Sequence, residues 1–118
     1  MEYVFVYGTL RKGCSNHHLL KDARDIGPAR TSEDYALYVH DYPYTVKSEA
    51  VGPIRGEVYL VDGRGLDRLD RLENHPHWYV REKKPVQLDE GREVQAWIYF
   101  FPEPRGHLVK SGDFVYMS

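Results

Sequence analysis

Five short apolar runs, each closed by a turn signal, limit the folds open to this 118-residue chain. They cover residues 3–7, 36–40, 56–61, 80–88 and 94–101. Asp41-Tyr42-Pro43, Gly52-Pro53, Asp62-Gly63 and Asp89-Glu90-Gly91 stand between or beside them, and turns select these residue types. Strands do not alternate regularly with helices, so a doubly wound parallel sheet is excluded. The expected class is α+β: a small mixed, mostly antiparallel β-barrel with a few short flanking helices.

Local patterns refine that expectation. Residues 3–7 are apolar on both faces, as a buried strand requires. Val94, Ala96, Ile98 and Phe100 alternate with Gln95, Trp97, Tyr99 and Phe101, which predicts a last strand covered at least partly on both sides. Asp89-Glu90-Gly91-Arg92 reads as a hairpin turn. Ser15 or Asn16 is expected to cap a short helix through Lys21, and a second helix is expected over about 64–73. The tail from Pro102 is expected to lie as a loop over the barrel. No linker or repeat interrupts the chain, and its length supports one core, so a single domain over 1–118 is expected.

Sixteen basic and eighteen acidic side chains give a formal charge of −2. That balance supplies no basic field for nucleic acid and no polybasic membrane anchor. No segment approaches the ~20 apolar residues of a spanning helix, and the start lacks a signal-peptide pattern. The single cysteine cannot form an internal disulfide, which suits a reducing compartment. A cytoplasmic protein, monomeric or weakly dimeric, is expected. With ten tyrosines, some are expected to line a cavity rather than fill the core.

Two segments carry chemistry. Leu66, Leu69 and Leu72 recur every three residues, and Glu73 follows Leu69 by four and Leu66 by seven. This spacing places Glu73 on the apolar side of a helix, while Asp67 and Asp70 read as turned away. Asn74 and Pro76 end the helix, leaving Glu73 at the negative end of its dipole and partly desolvated. Both effects raise a carboxyl pKa from about 4.3 towards neutrality, which tunes it for general acid–base work. The same pattern also suits a carboxylate at a frayed helix end, paired with Arg81 or another arginine.

The second segment, residues 8–13, is a glycine-bounded loop between a strand and a helix. It matches neither GxxxxGK[ST] nor GxGxxG, which argues against nucleotide binding. Its backbone N–H groups suit a carboxylate or an oxyanion; a plain strand-to-helix turn would look the same. His17, His18, His75 and His77 lack the spacing of a metal site, so no metal is expected. Cys14, near Arg11 and Lys12, is a minor nucleophile candidate if those cations depress its pKa.

Taken together, Tyr7-Gly8-Thr9-Leu10-Arg11-Lys12-Gly13 with Asn16-His17, Gly56-Glu57-Val58-Tyr59, and Leu69-Asp70 with Glu73, Pro76, Tyr79 and Arg81 resemble the gamma-glutamylcyclotransferase-like family. The likeness is nearest to its gamma-glutamylamine cyclotransferase branch. Asn74 departs from the glycine often found there. The resemblance implies a small mixed barrel and a reaction that releases 5-oxoproline and a free amine or amino acid from a small gamma-glutamyl substrate. It assigns proton transfer to Glu73 and substrate binding to Tyr7, Gly8, Thr9, Leu10, Arg11, Tyr79 and Arg81, with no metal or organic cofactor. The alternative is a non-catalytic relative that binds a small carboxylate-bearing metabolite in the same pocket.

Overall fold

A computed structural model describes residues 1–115, so the last three residues of the expected 1–118 domain lie outside the described ones. In chain order the strands are β1 (Glu2–Val6), β2 (Arg24–Thr31), β3 (Ala36–Val39), β4 (Pro43–Val46) and β5 (Arg55–Val61). Helix α1 (Gly63–Leu72) follows, then β6 (Val80–Leu88), β7 (Glu93–Phe100) and β8 (His107–Leu108). Five strands close a barrel in the order β1-β5-β2-β6-β7. The closing β1–β7 contact is parallel, with Val4 opposite Trp97, and the other barrel pairings are antiparallel. Strands β4-β3-β8 form a small second sheet. The expected mixed, mostly antiparallel barrel is therefore present.

Alternation explains why both faces of β1 and β7 are apolar. Phe5, Ala96, Ile98 and Phe100 join Val58, Val86 and Leu88 in one core cluster. Val4, Val6, Tyr99, Leu66 and Leu69 belong to a second cluster, which also takes in Tyr44, Tyr79 and Phe101. The barrel strands are thus sandwiched between two apolar layers, and α1 covers the second.

The structure contains strands that the apolar pattern did not reveal. β2 includes Arg24, Asp25, Gly27, Pro28 and Arg30, a composition that reads as loop. It holds its place through pairing with β5 and β6 and accommodates a bulge between Asp25 and Gly27, where Gly27 takes φ 133°. β4 begins at Pro43, inside the predicted turn, and all four of its residues are buried. The tail beyond Pro102 adds β8, which pairs Leu108 with Tyr38.

The helix expected through Lys21 is only a 3-10 turn, His17–Leu20, and Asn16 makes no capping side-chain hydrogen bond there. Helix α1 starts where Asp62 accepts from the Gly65 N–H at 2.8 Å. Among the described residues no helix is long and apolar enough to cross a membrane.

Candidate active site

The end of α1 fixes the central carboxylate. Asn74 N–H donates to the Arg71 carbonyl (3.2 Å) and His75 N–H to the Asp70 carbonyl (2.9 Å). This paired closure needs a left-handed residue just past the helix, and Asn74 adopts φ 51° there. Asparagine tolerates that conformation better than most non-glycine residues, which accounts for the departure from glycine. Glu73, immediately before it, projects into a cavity of about 530 Å³.

The start of the 8–13 loop, Gly8, Thr9 and Leu10, lines the same cavity. The Gly8 carbonyl accepts from Arg11 N–H (3.0 Å), the Thr9 carbonyl from Asn16 N–H (2.9 Å), and the Leu10 carbonyl bonds the His17 ring (2.9 Å). Asn16 also donates its side-chain amide to the Thr9 hydroxyl at 3.0 Å. The loop's carbonyls are thereby occupied. Among the described residues the N–H groups of Gly8, Thr9 and Leu10 meet no protein acceptor, and all three residues line the cavity. Gly8 must be glycine because a Cβ there would overlap the Pro43 ring.

Tyrosines complete the wall: Tyr7, Tyr42, Tyr79 and Tyr99, four of the ten in the chain. Tyr7 donates to the Tyr99 carbonyl at 2.6 Å and Tyr79 to the Pro43 carbonyl at 2.8 Å. Tyr99 donates to Asp70 at 2.6 Å. Burial raises the pKa of all three phenols, and the charge of nearby Glu73 adds to it. They remain protonated at neutral pH.

Glu73 is half-buried, and among the described residues its carboxylate forms no salt bridge. Loss of solvation pushes its pKa from 4.5 up to about 7. Among the described residues no other side chain on this wall is a carboxylate or an amine, imidazole or guanidinium base. The cavity thus combines one proton acceptor poised at neutrality with a row of unused N–H donors, the equipment for proton transfer beside a developing oxyanion.

Two expected site residues lie elsewhere. Arg81 is not on the cavity wall: its guanidinium grips Asp70 through two hydrogen bonds of 2.8 and 3.1 Å and lies over the Trp97 ring, 4.2 Å from the centroid. Arg11 is also absent from the wall. It is buried between Glu57 (3.2 Å) and Asp113 (2.7 Å), tying the loop to β5 and to the tail. Each cation is neutralised by carboxylates of the fold, which leaves Glu73 unpaired.

Asp70 is not turned away as expected but sits at the core edge holding Arg81 and Tyr99. At about 100° per residue it lies only about 40° from Leu66, whereas Leu72 lies about 120° away. Leu72 is accordingly exposed at the cavity mouth. Asn16, Pro43 and Trp78 also line the cavity without having been singled out. Asn16, seven residues beyond Thr9, and Trp78, between Pro76 and Tyr79, lie within the two segments that carry the sequence motifs. Cys14 is no activated thiol, since burial raises its pKa and outweighs the nearby Arg11.

Residues 4–116 match the family described as gamma-glutamyl cyclotransferase, AIG2-like. A protein of Methanocaldococcus jannaschii, named provisionally as a gamma-glutamylcyclotransferase, is 53% identical over 97% of this chain and 96% of its own. The gamma-glutamylaminecyclotransferase of Homo sapiens is 41% identical, over 78% of this chain and 66% of its own. Among solved structures, a Pyrococcus horikoshii protein superposes with a TM-score of 0.77 at 36% identity, covering 97% of this chain and 90% of that one. An AIG2-like protein from Mus musculus gives 0.80 at 34% identity, over 85% and 76%.

Proposed function

This chain belongs to the gamma-glutamyl cyclotransferase, AIG2-like family, and from that premise we propose that it releases 5-oxoproline from a gamma-glutamyl-amine or gamma-glutamyl amino acid, with Glu73 as general acid and base. The observation that carries this reading is an unpaired, half-buried Glu73 carboxylate lining one cavity together with Gly8, Thr9 and Leu10, whose N–H groups meet no protein acceptor among the described residues.

The substrate contains its own nucleophile, so holding it curled removes much of the barrier. The α-ammonium gives a proton to the Glu73 carboxylate. The freed amine attacks the γ-carbonyl carbon, a C–N bond forms, and a five-membered ring closes. Negative charge grows on the carbonyl oxygen, where the loop N–H groups stabilise it. The bond to the departing nitrogen then breaks as that nitrogen takes the first proton back from Glu73. The ring nitrogen gives its second proton to the emptied carboxylate, which passes it to the released amine, so that the amine departs as an ammonium and 5-oxoproline as the neutral lactam. Protons and electrons balance without a further reactant.

A carboxyl titrating near 7 suits both halves of this exchange, because it accepts and returns a proton at neutral pH with little bias. The test is 5-oxoproline release from a panel of gamma-glutamyl-amines and gamma-glutamyl amino acids, with Glu73→Gln alongside. Turnover by the native chain and a loss of about 10²–10⁴-fold in the variant support the reading. Saturable binding of these amides without turnover would instead indicate a small-metabolite binding protein.

A further inference from the structure

The mouth of the cavity carries large apolar side chains. Tyr42, Trp78 and Leu72 line it and are 54, 43 and 39% exposed. Large apolar side chains left in water around a pocket mark a surface that a ligand covers. Trp78 is held in place rather than loose. Its ring packs edge-to-face on Phe101, with centroids 6.0 Å apart, and the Arg105 guanidinium lies 5.6 Å from the indole centroid.

We infer that Trp78, with Tyr42 and Leu72, forms the subsite for the departing amine and selects an uncharged arylalkyl group. The inference rests on the cyclotransfer reading above, in which the glutamyl part occupies the Glu73 end and the group on the γ-nitrogen projects to the mouth. Charge favours a neutral occupant. A carboxylate one carbon from the breaking bond, as in an α-amino acid, would find no cationic side chain among the described residues of the wall, and Glu73 as their one carboxylate. An ammonium seated on Trp78 would meet the like charge of Arg105, 5.6 Å from the indole centroid, and Asp41 next to Tyr42 is engaged by the Tyr44 hydroxyl (2.5 Å) and the Tyr42 N–H (3.0 Å). Shape favours a ring, because Tyr42 and Trp78 offer two aromatic surfaces, and aromatic pairs gain beyond simple area burial.

The experiment compares kcat/KM for the gamma-glutamyl conjugates of phenethylamine, methylamine, glycine and lysine linked through its side-chain nitrogen. The phenethylamide should exceed each of the others by about tenfold or more. Trp78→Ala should collapse the phenethylamide-to-methylamide ratio by about tenfold, while Trp78→Phe keeps most of it. A preference for the glycine or lysine conjugate, or an unchanged ratio in Trp78→Ala, overturns the subsite.

Calorimetric binding of the same four amides to the native protein separates the two readings. If no amide is turned over but the phenethylamide binds best, the subsite stands and the enzyme reading falls. Equal binding of all four overturns the subsite whatever the turnover.

Discussion

Replacing Glu73 by glutamine removes the one carboxylate that the described residues bring to the cavity wall while keeping the side chain's size, and its effect on stability can be worked from the structure. Loss of solvation raises the carboxyl pKa from 4.5 to about 7 in the fold. That is a difference of about 2.5 decades in proton affinity, worth ~3 kcal/mol at 1.36 kcal/mol per decade. Glu73 still meets water through the cavity mouth, so we discount this to ~2 kcal/mol.

Between pH 4.5 and about 7 the folded state holds more protons at this site than the unfolded state. Native stability from this group is therefore complete below pH 4.5, falls as pH rises through 7, and stays lower above it. Glu73→Gln should be more stable than the native chain at pH 8 by ~2 kcal/mol, which for a chain of this size is about 6–10 °C in melting temperature. The two proteins should converge near pH 5. Thermal melts at pH 5, 6, 7 and 8 measure this directly. Parallel melting curves over the whole range would refute the claim that Glu73 is desolvated and unpaired, whatever the variant does to activity.

Four further outcomes follow from the same geometry. The pH profile of kcat/KM for 5-oxoproline release should rise with a midpoint near 7 as Glu73 ionises, and a profile flat from pH 5 to 8 would rule out this base. Arg11→Met should cost ~3 kcal/mol in chemical denaturation, because it strands the Glu57 and Asp113 carboxylates that Arg11 now neutralises. Gly8→Ala should lower both melting temperature and turnover, since its Cβ must displace Pro43 at the cavity wall; a crystal structure of the variant with an unmoved Pro43 would contradict this. Asp70→Asn should destabilise the protein by ~1–2 kcal/mol at pH 7. Burial by itself would raise the Asp70 pKa, yet the Arg81 and Tyr99 hydrogen bonds hold it below the usual carboxylate value. Asp70's contribution is present at neutral pH and lost on acidification through its lowered pKa, so the difference between native and variant should vanish in strong acid.

What the sequence determined by itself was set by short-range pattern. Alternation in β7, the Asp89–Arg92 turn and the leucine spacing of α1 depend on neighbours a few residues away, so they can be read along the chain. The inward aim of Glu73 was legible for the same reason, since helical period alone carries it. Applied fully, that period would also have placed Asp70 near the core edge and Leu72 at the margin.

The tertiary structure alone decided where the cations go. Arg11 reaches Asp113 across 102 positions and Glu57 across 46, and which of several acids an arginine meets is fixed by barrel closure, not by spacing. β2 and β4 were hidden because polar residues and prolines become strands only when neighbouring strands supply their hydrogen bonds and burial. Trp78 was equally unreadable as a cavity residue. Its place at the mouth follows from the chain's turn past Asn74 and from Phe101 and Arg105 far along the sequence, and contacts made only on folding leave no local pattern to read.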